Sequence, residues 1–173
     1  MKLVECNLRE HGPAILSILN DAIVNSTALY DYVPREPDSM NGWFEQKALG
    51  GFPVWGAIDA QGPLLGFATY GSFRAWPAYK YSVEHSVYVE RGARGRGVGQ
   101  ALMQQLIKTA QEQQYHVLIG GIDAVNAESI AFHVKLGFAH AGTIQQAGFK
   151  FGRWLDLAFY QLILPTPHEP RDG

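Results

Sequence analysis

The stretch Val87–Leu102, VYVERGARGRGVGQAL, decides how this chain is read. A strand-like run, Tyr81–Val89, ends where the glycines begin, and an amphipathic run follows at once. Leu102, Leu106 and Ile107 recur at helical spacing, with Ala101, Met103 and Ala110 widening the stripe. Strand, glycine turn and helix in that order direct backbone N–H groups outward at a helix N-terminus, a ready anion site. Gly95, Gly97 and Gly99 carry no side chain to keep an anion from the backbone. Arg94 and Arg96 add positive charge beside them. Two well-known phosphate loops do not fit. The Walker A loop requires Lys-Ser/Thr after its last glycine, and Gln100-Ala101 stands there. The dinucleotide fingerprint G-x-G-x-x-G has another spacing and follows a first strand, whereas this loop lies mid-chain. An ordinary glycine-rich turn and a pyrophosphate cradle of a different type remain.

Outward from the loop, strand and helix patterns alternate. Lys2–Cys6 reads as a first strand. Pro13 suits the first turn of a helix, after which Ile15, Ile18, Leu19, Ala22 and Ile23 recur at helical spacing. Residues 25–38 read as a long loop, and a short helix covers Met40–Leu49 with Met40, Trp43 and Phe44 as its stripe. Val54–Ile58 and Leu64–Tyr70 read as a hairpin joined through Asp59-Ala60-Gln61-Gly62. Past the glycine loop come a strand at His116–Ile122 and a helix at Asn126–Leu136, with Gly137 as its C′ residue. Strands near Ala139–Ile144 and Arg153–Leu164 complete the pattern. The expectation is one domain, residues 1–164, and a frayed proline-rich tail, residues 165–173.

Composition bounds the function. The chain has 173 residues, 47% of them hydrophobic and 17% charged, enough for one sizeable core and too little charge for disorder. The net charge is -2 and no dense basic stripe is present, which argues against a nucleic-acid partner. No apolar run reaches the roughly 18 residues of a membrane span, and MKLVECNLRE lacks a signal-peptide core. The single cysteine, Cys6, forms no internal disulfide or metal framework and reads as a small apolar strand residue. The expectation is a soluble, cytoplasmic α/β domain without a metal or a membrane partner.

Arg94-Gly95-Arg96-Gly97-Val98-Gly99, after a strand and before a helix, resembles the acyl-CoA loop of the GNAT superfamily of N-acetyltransferases. About thirty residues on, NAESIAFHVKLGF resembles that superfamily's second signature, an Asn-led helix ending in a Gly-Phe pair. NDAIVNSTALYD, Ser82–Val89 and GFKFGRWLDLAFYQ are similar to the phosphinothricin and methionine sulfoximine acetyltransferase branch, over residues 2–164. The resemblance implies a mixed, mostly antiparallel twisted sheet flanked by helices. It implies transfer of acetyl from acetyl-CoA to the α-amino group of a small glutamate-like amino acid or its sulfone, sulfoximine or phosphinic analogue, and a homodimer. The competing functions are a protein or peptide N-acetyltransferase and a non-catalytic acyl-CoA-binding module.

The resemblance also implies roles. Arg94, Gly95, Arg96, Gly97, Val98, Gly99 and Gln100 would hold the pyrophosphate through their amides, and the backbone of Val87, Tyr88 and Val89 would pair with the pantetheine arm. Glu84 is the candidate base. A carboxylate of ordinary pKa is a weak base for an ammonium, so it would act through water or with its pKa raised by burial. His85 falls on the opposite strand face. Asn126 suits an N-cap and, by the resemblance, a contact to coenzyme A. His133 stands where many GNAT enzymes carry a tyrosine acid; proton donor and plain cofactor contact are equal readings. Arg74 suits a carboxylate. Arg74, Ala75 and Trp76, with Glu84, His85 and Ser86, would form the substrate site. Tyr79 and Lys80 lie close by. Lys150, Arg153 and Trp154 look like branch residues of undivided role.

Overall fold

The computed structural model describes residues 1–60 and 62–172; Gln61, which falls in the turn read between the second and third strands, lies outside the described residues. The chain forms β1 (Lys2–Glu5), α1 (Leu8–Asn25), α2 (Ser39–Leu49), β2 (Val54–Ile58), β3 (Leu64–Ser72), β4 (Ser82–Val89), α3 (Val98–Glu112), β5 (Val117–Asp123), α4 (Ala127–Lys135), β6 (Ala139–Lys150) and β7 (Arg153–Ile163). It is an α/β fold with a mostly antiparallel sheet, β4 and β5 being the parallel pair. Two compact units are distinguished: Met1–Gly71 with Ser86–Lys108, and Ser72–His85 with the chain from Thr109. No helix among the described residues is long and apolar enough to cross a membrane.

The first unit carries the strand order β1-β2-β3-β4. Its core joins Cys6, Ile15, Ile18, Leu19, Met40, Val54 and Phe67. Cys6 is buried, and burial, with Glu5 adding to it, pushes its thiol up to about 12, so it is an inert packing residue. Gly56 is required beside it: a β-carbon there would lie 2.4 Å from Cys6 Sγ. Helix α1 begins earlier than the proline suggests. Asn7 Oδ1 accepts the Glu10 N–H at 2.9 Å, and this cap starts the helix at Leu8. Pro13 therefore sits inside the helix, where it forgoes one bond to the carbonyl four residues back.

The second unit carries the order β4-β5-β7-β6. Parallel pairing joins Ser82↔Val117 through Glu84↔Ile119, and β5 pairs antiparallel with β7 over its whole length. Strand β6 is twice the expected length. It continues past Ile144 through an irregularity spanning Ile144/Gly148, and pairs Lys150 with Arg153 across Phe151-Gly152. Phe151 and Gly152 have φ of 52° and 72°, the tight-hairpin conformation, so the turn and not β-propensity fixes this register. The start of the tail is held rather than frayed. His116 Nδ1 donates to the Thr166 carbonyl at 2.7 Å and Thr166 Oγ1 donates to the Tyr115 carbonyl, and both Leu164 and Thr166 are buried.

Candidate active site

In the first unit β4 runs into the glycine loop through a short turn, Arg91–Ala93. Ala93 and Val98 are buried and anchor the two ends of the loop. Between them Gly95 and Gly97 hold φ of 74° and 79°, a left-handed backbone that an L side chain rarely adopts. A β-carbon at either position would meet nothing within 4 Å, so the peptide face is open. The Ala101 N–H bonds the Gly97 carbonyl at 3.1 Å, which makes Gly97 the N-cap of α3. The amides of Val98, Gly99 and Gln100 are thereby the first-turn donors without helical acceptors. The two arginines are tied elsewhere. Arg96 pairs with Asp59 at 3.3 Å, and Arg94 Nε donates to the Val89 carbonyl at 3.4 Å. The loop therefore offers an anion its backbone first and its side chains second.

In the second unit Glu84 is the last β4 residue in the ladder with β5. Its carboxylate lies over the bare backbone of Gly121, where a β-carbon would come within 3.2 Å of Glu84 Oε1. The same space is bounded by Leu157 and Phe159 of β7. Burial against these groups raises the Glu84 pKa, and the Arg74 guanidinium opposes that rise. Arg74 itself lies with its guanidinium carbon 4.9 Å from the centre of the Phe73 ring. A cavity of about 230 Å³ opens beside it, lined by Arg74, Ala75, Trp76, Tyr79, Lys80 and Tyr115 and reaching β4 at Ser82. Of the expected substrate set, Arg74, Ala75 and Trp76 line this cavity, and Glu84, His85 and Ser86 do not.

His85 projects to the other face of β4, as alternation requires. Its ring stacks on His133 of α4, centroids 5.1 Å apart and planes 18° apart, and meets Phe138 edge-on at 5.2 Å. Both histidines are buried. Gly120 makes room for them: a β-carbon there would lie 2.8 Å from His85 Nε2 and 3.3 Å from His133 Nε2. The adjacent glycines Gly120 and Gly121 thus clear space on opposite faces, one for the histidine pair and one for Glu84. Sequence reasoning passed over both, although glycine inside a strand signals close approach.

The His133 tautomer follows from its partner. Nδ1 lies 2.7 Å from the Ser129 carbonyl, which only accepts, so Nδ1 carries the proton. In the neutral ring Nε2 then holds a lone pair, buried and without a hydrogen bond. Burial lowers the His133 pKa, with the Ser129 carbonyl opposing. Burial, reinforced by His133, lowers that of His85 to about 3. Both rings of this pair are therefore neutral at physiological pH. Both ring nitrogens of His85 also lack hydrogen bonds.

Helix α4 is held at both ends. Asn126 Oδ1 accepts the Ser129 N–H at 3.1 Å, so its oxygen caps the helix while its NH₂ faces away from that bond. At the other end the Gly137 N–H bonds the Val134 carbonyl and the Phe138 N–H bonds the His133 carbonyl, with Gly137 at φ 91°. This is a Schellman closure, and the Phe138 ring packs edge-on against His133 at 5.3 Å, the contact that accompanies it. The Gly-Phe pair thus terminates the helix and walls the histidine.

Known proteins resemble this chain over most of its length. The model of the acetyltransferase (GNAT) family matches residues 17–138. The L-methionine sulfoximine/L-methionine sulfone acetyltransferase of Pseudomonas aeruginosa is 45% identical over 172 residues, covering 96% of this chain and 100% of that protein. A solved structure from Acinetobacter baylyi is 60% identical with a TM-score of 0.98, covering 99% of this chain and 96% of that one. The crystal structure of a GNAT superfamily phosphinothricin acetyltransferase from Sinorhizobium meliloti in complex with acetyl-CoA is 32% identical with a TM-score of 0.93, covering 99% of this chain and 94% of that one. With the family's model matched over most of its length and a relative so similar end to end, the chain belongs to the acetyltransferase (GNAT) family.

Proposed function

We propose that this protein transfers acetyl from acetyl-CoA to the α-amino group of a small glutamate-like amino acid, with methionine sulfoximine, methionine sulfone and phosphinothricin as the acceptors to try first. The observation that carries the chemistry is Glu84: a half-buried carboxylate over a bare glycine, on the strand that leads directly into an amide-rich loop. Acetyl-CoA supplies the activated acyl group as a thioester. The amides of Gly95 to Gln100 hold its diphosphate, and the backbone of Val87, Tyr88 and Val89 pairs with its pantetheine arm. The Asn126 NH₂ donates to the same arm. Glu84, its basicity raised by burial, takes a proton from the substrate ammonium through a water molecule, freeing the nitrogen lone pair. The nitrogen bonds to the acyl carbon, the C–S bond breaks, and the sulfur leaves with the electron pair. The Val87 N–H stabilises the charge that develops on the carbonyl oxygen. The acylated nitrogen gives its second proton to the departing sulfur, and His133 Nε2, which carries no proton, accepts a hydrogen bond from the coenzyme thiol so formed.

Arg74 binds the acceptor's carboxylate, and Ala75, Trp76 and Ser86 complete the substrate set of this reading, while His85, on the face of β4 away from Glu84, supports the strand from behind. A strand-edge surface supports assembly. Strand β6 ends the order of its unit, is exposed along nearly its whole length, and presents Ile144 and Phe149 to solvent beside Trp154 of β7. Exposed apolar edges of this kind are normally covered, and we assign the cover to a second copy of this chain. The enzyme works in the cytoplasm, where acetyl-CoA and free amino acids meet, and residues 1–164 form its catalytic domain.

The test is acetyl-CoA-dependent release of free thiol with a panel of amino acids and peptides. Turnover on methionine sulfoximine well above that on peptides is expected. Preference for peptides would replace the acceptor, and calorimetric binding of acetyl-CoA without turnover on any amine would leave a binding module. Sedimentation should give twice the chain mass.

A further inference from the structure

Arg153 is remote in sequence from every group given a chemical role above, yet it grips the residue on which the approach to α4 turns. Its guanidinium meets Asp123 Oδ2 at 2.5 Å, and the Asp123 side chain is 1% exposed while that of Arg153 is 43% exposed. Asp123 is the last residue of β5. Its Oδ1 accepts the Val125 N–H at 3.3 Å and its carbonyl accepts the Asn126 N–H at 2.8 Å. The Ala124 N–H bonds the Asp156 carbonyl of β7 at 2.9 Å. One carboxylate thus has one oxygen held by β7 and the other directing the turn that delivers Asn126. A buried carboxylate is sustained only by such a partner.

We propose that Arg153 is a positioning residue for the cofactor: through Asp123 it fixes the turn Asp123–Asn126 and thereby aims the Asn126 NH₂. This rests on the reading that Asn126 contacts coenzyme A. It assigns Arg153 to neither the acceptor pocket nor the contact between copies. The rigid, planar guanidinium matters because it fixes one carboxylate oxygen in direction, leaving the other to accept the Val125 amide. Lysine would supply charge without that constraint.

The experiment uses the full chain with Arg153→Lys and with the double variant Asp123→Asn/Arg153→Met, which removes both charges and so leaves no buried carboxylate unpaired. Two quantities are read: amide hydrogen exchange at Val125 and Asn126 without ligand, and the calorimetric Kd for acetyl-CoA with the KM values of both substrates. In the double variant both amides should exchange faster, and acetyl-CoA should bind about 3- to 30-fold more weakly, the range for changes along a coupled chain of contacts. The acceptor KM should stay within about twofold, and Arg153→Lys should fall between the double variant and the parent. Unchanged exchange would overturn the link from Arg153 to the turn. Faster exchange with unchanged acetyl-CoA affinity would overturn the placement of Asn126 at the cofactor and leave the turn intact. A rise confined to the acceptor KM would overturn the proposal in favour of a substrate role for Arg153.

Discussion

The stacked pair His85–His133 makes acid sensitivity a calculable property of the fold. In the unfolded chain a histidine ionises near 6.5. In the folded chain burial and the neighbouring ring hold His85 down to about 3. Between those values the unfolded state binds the proton and the folded state does not, so stability falls as pH falls. The contribution is fully present above pH 6.5 and is lost progressively down to about 3, where it levels off. At pH 5 the loss depends only on the unfolded value, because the folded ring is still neutral there. It amounts to about 1.36 kcal/mol times the 1.5-unit interval, or about 2 kcal/mol, from His85 alone. For a chain of this size that lowers the melting temperature by about 4–8 °C. His133, lowered by burial, adds a loss of the same sign.

The assay is urea unfolding at pH 7.5 and pH 5.0 for the parent and for His85→Phe. Phenylalanine keeps a flat ring against His133 and Phe138 and removes the titration. The parent should lose about 2 kcal/mol more than the variant over that interval. Equal losses would refute the reasoning, because they would mean that the buried ring accepts its proton without penalty. Removing the ring nitrogens, which make no hydrogen bonds, should also leave the variant as stable as the parent or more so at pH 7.5.

The other predictions concern turnover and ligand binding. Glu84→Gln should lower kcat by about 10²- to 10⁴-fold while the calorimetric affinity for acetyl-CoA stays unchanged; turnover near the parent's would remove Glu84 from the mechanism. The acid limb of kcat/KM should lie above the ordinary carboxylate range, because burial raises the Glu84 pKa. Arg74→Ala should raise the acceptor KM far more than the acetyl-CoA KM, and should move the same acid limb upward by removing the charge that opposes the rise. Gly97→Ala forces an alanine to φ 79° and should cost about 1–2 kcal/mol, with weaker acetyl-CoA binding by calorimetry.

Much of this was legible in the sequence, because the signals were local. The Gly95/Gly97 loop, the helix after it and the Gly137-Phe138 stop depend on residues a few positions apart, and each took the expected form. Helix α1 was misplaced because Pro13 is a stronger visual marker than Asn7, although the cap decides where the hydrogen bonds begin. The second half of β6 was missed because Gln145, Gln146, Ala147 and Gly148 lack β-branched character. Its course is imposed by the turn at Phe151-Gly152 and by pairing with β7. The hold on the start of the tail was not legible because its anchors, Tyr115 and His116, lie about fifty residues upstream of Thr166.

The site was harder to read than the fold, because its chemistry is decided by what lies across the sheet. Nothing around Glu84 in the sequence says that its carboxylate is half-buried; the neighbour that makes room for it is Gly121, and the walls are Leu157 and Phe159. Nothing around His133 says which nitrogen bears its proton; the Ser129 carbonyl one helical turn back settles it. The two glycines in IGGID are therefore as much part of the site as the charged groups. A methyl at Gly121 crowds the carboxylate on one face, and a methyl at Gly120 strikes the histidine pair on the other. Gly121→Ala should accordingly disturb the pH dependence of turnover, and Gly120→Ala the acid stability of the fold. Two residues with no side chain thus set apart the surroundings of two side chains that the sequence places on adjacent letters, Glu84 and His85.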